Sequence, residues 1–465
     1  MKSSETLPVA APANDEQTHD APADDRRARS AGVVLTRRKR RAFKLLLVGA
    51  GLLVGLLVAE AALRVVGYSY PVFYVPDEAL GYALRPGMEG WYRKEGAAYV
   101  RINSDGMRDR EHLKAKPPDT VRIAVLGDSY AEALQVDERE AFWSVLEKRL
   151  GACAPFAGRR VEVLNFGVSG YGTAQELITL RRKVWDYSPD IVLLAVTTNN
   201  DITDNSRELK KTDEIPYFVR RDGRLVLDES FHDARAFRLR NSVLSRAGSW
   251  IRDHLRVIQL IHQAHGALKA YIKSPRTPSK PEAQPTQAAQ TAQAVRTRRD
   301  AGGAPDAAPA ADVPRATSAA QADELGVDNL IYRAPSDAVW NEAWSVTEEL
   351  LVEMRDEVQS KGAKFLVVTL SNGIQVYPDE GARTEFLRRT GATDLFYPDL
   401  RIKSLGERAG FPVLNLAPAL QAYADEHKVF LHGFGAERGN GHWNALGHAQ
   451  AGELIAESLC AGAAQ

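Results

Sequence analysis

Four separated stretches of the chain hold side chains that would form an acyl-transfer centre if brought together. The first is Gly127-Asp128-Ser129-Tyr130, which ends the apolar run Val121–Leu126. A serine just past the C-terminal end of a parallel strand lies in the crevice where open α/β sheets bind ligands. A helix starting there turns its positive end toward an alkoxide or oxyanion. Alone, Gly-Asp-Ser is also ordinary turn chemistry. The second stretch is Asn165-Phe166-Gly167-Val168-Ser169-Gly170-Tyr171-Gly172, whose glycines let backbone N–H groups approach a ligand or merely serve a strand–helix connection. The third is Thr197-Thr198-Asn199-Asn200-Asp201, where an amide can cap a helix or donate to an oxyanion. The fourth, Gly441-His442-Trp443-Asn444, supplies an imidazole just before the last helical segment. A histidine by itself is more often structural or exposed than catalytic.

Apolar periodicity describes the scaffold that must hold these pieces. Strand-length runs at Val121–Leu126, Val161–Val168, Ile191–Thr197, Phe365–Leu370 and Pro412–Leu416 alternate with helix-period segments at Glu140–Leu150, Thr173–Trp185, Val339–Ser360 and Ala445–Leu459. Continuous apolar strands alternating with helices imply a parallel sheet covered on both faces. Each chemical stretch then sits at a strand's C-terminal end or in the loop before the last helix. A long insertion, about residues 203–338, interrupts the pattern. It opens with a hairpin around Asp222-Gly223 and continues as helix over 234–272, with Trp250, Ile251, Leu255, Ile258, Leu260 and Ile261 expected as packing groups. No aromatic occurs between Tyr271 and Tyr332, and the Ala, Pro, Gln, Thr and Arg of 274–324 read as a disordered linker.

The order of the four stretches resembles the SGNH hydrolases, also called the GDSL esterase/lipase superfamily. On that resemblance Ser129 is the nucleophile, Gly170 N–H and the Asn200 amide are oxyanion donors, and His442 is the general base. The segment Arg101-Ile102-Asn103-Ser104-Asp105-Gly106-Met107-Arg108-Asp109 is similar to one that precedes the catalytic strand in membrane-anchored bacterial members. The resemblance spans residues 68–465 less the insertion. It implies a three-layer α/β/α sandwich on a five-stranded parallel sheet of flavodoxin-like order.

Two positions depart from the family pattern. Thr198 replaces the glycine of the third block, and Asn440 and Gly439 stand where an acid normally precedes the histidine. Losing that acid in a serine protease triad costs about 10⁴ in kcat. Another carboxylate must serve, or Asn440 must orient the ring, or activity is low; Glu437 is one candidate. His448 reads as structural. Trp185, Tyr171 and Trp443 could line a substrate groove, although aromatics are more often core. Cys153 and Cys460 end helices that can be neighbours on one face of such a sheet, which leaves a disulfide or two free thiols.

Composition narrows the class further. The 465 residues carry 60 Lys+Arg and 60 Asp+Glu, and this balance argues against a nucleic-acid partner. Two cysteines are too few for a thiolate zinc site, and neither metal-ligand spacing nor a phosphate-binding glycine loop occurs, so no cofactor is expected. The N-terminus breaks the balance. Residues 26–44 hold nine basic side chains and no acid, and an apolar run follows from Leu45 to Ala59. Phe43–Leu63 would span about 31 Å as a helix, enough to cross a lipid bilayer. The basic flank predicts a cytoplasmic N-terminus, with everything after residue 65 outside it. This gives a disordered cytoplasmic tail over 1–41, an anchor over 42–64, and a periplasmic or extracellular domain on the inner membrane.

The functional expectation is a membrane-anchored serine esterase acting on O-acyl esters, acetyl esters especially, of carbohydrate or lipid. Two alternatives stand beside it: an O-acyltransferase on envelope polysaccharide, and a catalytically weak glycan-binding or scaffold protein. Acyl group and oligomeric state are open.

Overall fold

The computed structural model describes residues 36–273 and 327–462. The expected linker over 274–324 and the expected tail through residue 35 lie outside them. The chain divides into two compact units, one ending at Ala59 and the other starting at Glu60. Helix α1, Arg37–Val65, begins inside the basic block, so its first five residues fall within the stretch expected as tail. It is the one helix among the described residues long and apolar enough to cross a membrane.

The second unit opens with two antiparallel hairpins absent from the sequence reading. Strands β1 (Tyr74–Asp77) and β2 (Gly81–Leu84) form the first, β3 (Glu89–Tyr92) and β4 (Ala98–Arg101) the second. The sheet then begins. Strand β5 (Thr120–Gly127) leads to helices α2 (Ser129–Glu132) and α3 (Phe142–Leu150), β6 (Arg160–Asn165) to α4 (Thr173–Arg182), and β7 (Ile191–Thr197) to α5 (Asp201–Asp204) and α6 (Arg207–Lys210). The insertion supplies the hairpin β8 (Tyr217–Arg221) and β9 (Arg224–Asp228), then helices α7 (Arg235–Asn241), α8 (Val243–His254) and α9 (Arg256–Lys273). Helix α10 (Ala338–Ser360) returns the chain to β10 (Lys364–Leu370). Helices α11 (Glu380–Thr390) and α12 (Tyr397–Ala409), strand β11 (Val413–Asn415) and helices α13 (Ala417–His427) and α14 (Ala445–Gly462) complete it.

The five strands lie in the order β11-β10-β7-β5-β6, all parallel, which is the expected flavodoxin-like arrangement. Alternate side chains enter two cores. Ala124, Leu126, Leu194 and Val196 pack with Leu177, Trp344, Leu350 and Ile402 of α4, α10 and α12. Ile123, Val125, Leu193 and Val368 pack with Phe142, Leu146, Leu420 and Ile455 of α3, α13 and α14 on the other face. This period-2 partition makes three layers. Register places Gly127 beside Ala195, Val125 beside Asn165 and Leu370 beside Thr197, so the strands end together along one edge. Cys153, beyond α3, is disulfide-bonded to Cys460 in α14, with Cα atoms 6.2 Å apart.

Candidate active site

Ser129 is the first residue of α2. Asp128 caps that helix: one carboxylate oxygen accepts from the Tyr130 N–H at 3.0 Å and from Thr197 Oγ1 at 2.9 Å. Its other oxygen accepts from Asn200 Nδ2 at 2.8 Å. The cap thus joins the ends of β5 and β7 and aims Ser129 over the sheet edge.

His442 Nε2 lies 2.8 Å from Ser129 Oγ. The far side of the ring is held by Glu95, which no reading of the histidine's own loop identified. Glu95 Oε2 is 2.5 Å from Nδ1, and Oε1 accepts the His442 backbone N–H at 2.7 Å. A carboxylate can only accept here, so Nδ1 carries the proton and Nε2 is left to accept from the serine. Glu95 comes from the β3–β4 turn. Gly441 makes room for it: its φ is +77°, and a Cβ there would collide with Glu95 Oε1. The expected candidates are elsewhere, since Glu437 and Asn440 are both exposed and neither touches the imidazole.

The electrostatics agree with this pairing. Burial works against protonating His442, but the hydrogen bond and charge of Glu95 outweigh it and hold the imidazole above its ordinary pKa. Burial likewise raises the Glu95 carboxyl, and the contacts with His442 more than reverse it, leaving Glu95 below the usual carboxylate range. Behind the pair, buried His432 donates from Nδ1 to the Gly441 carbonyl at 2.8 Å, while its Nε2 is 3.1 Å from Ser371 Oγ. Desolvation pushes His432 down to about 4, so it stays neutral and works as a strut.

The donor side is assembled from β6 and β7. Asn165 donates through Nδ2 to the carbonyls of Ala131, at 2.9 Å, and Arg108, at 3.1 Å, and accepts from Gly167 N–H at 2.9 Å. Asp109 of the upstream motif accepts from the Asn165 backbone N–H at 2.9 Å. Glu132, one turn after Ser129, accepts from Ser169 N–H at 2.8 Å and from Tyr74 OH at 2.9 Å. Gly170 follows at φ +78°, and a Cβ on it would press 2.7 Å from Tyr82 Oη. Among the described residues, no acceptor takes the N–H of Ser129 or of Gly170. Asn200 Nδ2 spends one hydrogen on Asp128 and keeps the second. Ser129, His442, Gly170 and Asn200 therefore stand on one edge of the sheet, with Glu95 the residue the sequence reading missed.

Burial and position place the other expected residues. His448 is enclosed in α14 with Nδ1 3.3 Å from the Phe142 backbone N, a structural place. Tyr171 and Trp443 are core, not groove. Trp185 precedes β7, at the opposite edge of the sheet from Ser129, and donates to Glu357 at 3.1 Å.

No family model and no curated protein matches the chain. Among solved structures it is similar to an α/β hydrolase from the metagenome of Lake Arreo, Spain, at 13% identity over 74% of this chain and 95% of that one, with a TM-score of 0.31. It is also similar to an acetylxylan esterase from Geobacillus stearothermophilus, at 9% identity over 73% and 94% of the two chains and a TM-score of 0.31. A third is a protein of a lipolytic G-D-S-L family from Desulfitobacterium hafniense, at 11% identity over 72% and 98% with a TM-score of 0.30. These neighbours are esterases and hydrolases. At so slight a likeness, the chemistry of this chain rests on its own geometry.

Proposed function

We propose that the chain is a serine ester hydrolase of the SGNH type, held at a membrane by residues 43–63 and acting outside the cytoplasm on O-acyl esters of carbohydrate or lipid, acetyl esters foremost. The observation that carries this reading is the continuous relay of Ser129 Oγ, His442 Nε2, His442 Nδ1 and Glu95 Oε2 at 2.8 and 2.5 Å. In this scheme Ser129 Oγ attacks the ester carbonyl as its proton passes to His442. Glu95 keeps the ring in the accepting tautomer and balances the imidazolium that forms. The N–H groups of Ser129 and Gly170 and the remaining Asn200 amide hydrogen receive the oxyanion, each donor worth about 3 kcal/mol of barrier. His442 returns the proton to the leaving alcohol, and water then resolves the acyl-enzyme by the same base.

A catalytically weak glycan-binding or scaffold protein gained its support from the acid missing before His442. Glu95 fills that role and weakens the case. The disulfide favours an oxidising compartment, as expected beyond the cytoplasmic face of a membrane. A transferase differs only in the last step, where a sugar hydroxyl replaces water.

The test is fluorophosphonate labelling of the full chain in detergent, with peptide mass spectrometry. Label is expected on Ser129, absent in Ser129→Ala and strongly reduced in His442→Ala. A folded wild-type chain that takes no label would overturn the reading. Acetate release from acetylated oligosaccharide without an added acceptor marks a hydrolase; release that requires an acceptor sugar marks a transferase.

A further inference from the structure

Helices α8 and α9 are inside out. A helix packed on a soluble domain normally buries its apolar stripe and exposes its polar one. On α8, Ser245, Ser249 and Arg252 recur at spacings of four and three, and they face inward across a cavity of about 370 Å³ shared with Tyr74, Tyr82 and Arg85. The opposite stripe is apolar and bare: Leu244 is 84% exposed, Trp250 62% and Ile251 44%. Helix α9 repeats the pattern. Its Gln259 is 3% exposed and accepts the Tyr70 backbone N–H at 2.9 Å, while Leu260, Ile261 and Leu268 stand out at 42, 57 and 56%.

The charge is equally one-sided. Residues 235–273 contain Arg235, Arg238, Arg240, Arg246, Arg252, Arg256, Lys269 and Lys273 against the single acid Asp253. Asp253 is occupied by Arg85 at 2.5 Å. A basic polar face opposite a Trp, Leu and Ile face is the composition of helices that lie in the plane of an anionic bilayer, sunk about 5–10 Å into the headgroup boundary. Their place in the fold agrees. Glu60, the first residue after the apolar run, accepts the Val257 N–H at 3.0 Å, and Arg64 donates to the His254 carbonyl at 2.8 Å. The two helices are therefore tied to the residues at which the chain leaves its apolar segment.

We infer that α8 and α9 form an interfacial helix pair whose exposed apolar face is covered by anionic lipid. The inference rests on residues 43–63 being the anchor. It adds that the catalytic unit is seated on the bilayer rather than tethered above it.

The test uses the full chain reconstituted into vesicles of phosphatidylcholine and phosphatidylglycerol carrying lipids brominated near the headgroup. Trp250 is the only tryptophan between residues 235 and 273. Tryptophan quenching by bromine is expected, and Trp250→Phe should remove most of the bromine-sensitive emission. Vesicle flotation after an alkaline carbonate wash reports the anchor separately. A chain that floats but whose Trp250 is not quenched would overturn the interfacial seat and leave the anchor standing. A chain that does not float would sink both. Trp250 shielded from lipid bromine and from aqueous iodide alike would mean that protein covers this face, and would also overturn the proposal.

Discussion

Glu95 grips His442 twice, with one carboxylate oxygen on the imidazole Nδ1 at 2.5 Å and the other on the backbone N–H at 2.7 Å. The two residues are 347 positions apart in the chain. The second contact matters as much as the first, because it fixes the backbone from which the ring projects. A carboxylate bound to ring and backbone together leaves the histidine one tautomer and little freedom of rotation.

The first prediction follows from that division of labour. Glu95→Gln should lower kcat on an activated acetyl ester by about 10²–10⁴, because the amide can present an N–H to Nδ1 and turn the proton toward the serine. Glu437→Gln and Asn440→Ala should leave kcat unchanged. Full turnover in Glu95→Gln would remove the residue from the relay.

The pH profile tests the same pair differently. His442 must be unprotonated to act as base, and Glu95 raises its pKa above the ordinary 6.5. The acid limb of kcat/KM should therefore lie above pH 6.5 in the wild type, with activity rising as the imidazolium loses its proton. In Glu95→Gln the burial that disfavours the charged ring remains while the opposing carboxylate is gone, so the limb should move to lower pH. A limb unmoved by the substitution would mean that the observed titration belongs to another group.

Gly441→Ala should act on Glu95 without touching it. The added Cβ falls on Glu95 Oε1 at a positive φ that alanine resists. The carboxylate must withdraw, so the variant should reproduce both the lower kcat and the shifted limb of Glu95→Gln while keeping the native circular dichroism. A normal pH profile in this variant would show that the loop can relax around the methyl group.

The sheet and the placement of most candidate site residues were legible in the sequence for a common reason. Buried parallel strands such as Ile191–Thr197 are apolar throughout, and the residues beyond them, Ser129, Gly170 and Asn200, inherit their position from the strand ends. Glu95 carries no such signal. It lies in a turn between four-residue strands whose alternation is too short to read, and its partner is set by tertiary folding rather than spacing. The hairpin Asp222-Gly223 was legible because both turn residues adopt positive φ, at 51° and 76°, which Asp and Gly tolerate. The polarity of α8 and α9 was half legible. Their helical character was readable, but the expectation that Trp250, Ile251, Leu255, Ile258, Leu260 and Ile261 pack inward is reversed, because all six are exposed and the polar stripe faces the protein instead.

The disulfide gives the last prediction. Cys153 and Cys460 are 307 residues apart, so the bond closes about three-quarters of the second unit into one loop. Such a crosslink restricts the unfolded chain, and native bridges are typically worth about 2–4 kcal/mol. The bond joins the end of α3 to the end of α14, the helix that directly follows the His442 loop. The contacts made by His442 run to Ser129 and Glu95, neither of which belongs to α3 or α14. Cys153→Ala/Cys460→Ala should thus unfold at lower denaturant concentration while fluorophosphonate still labels Ser129 at the wild-type rate under folding conditions. Added reductant should reproduce the stability loss in the wild type and do nothing further to the double variant. A double variant that unfolds earlier and, while still folded, no longer labels would show that the bridge positions the His442 loop as well as stabilising the fold.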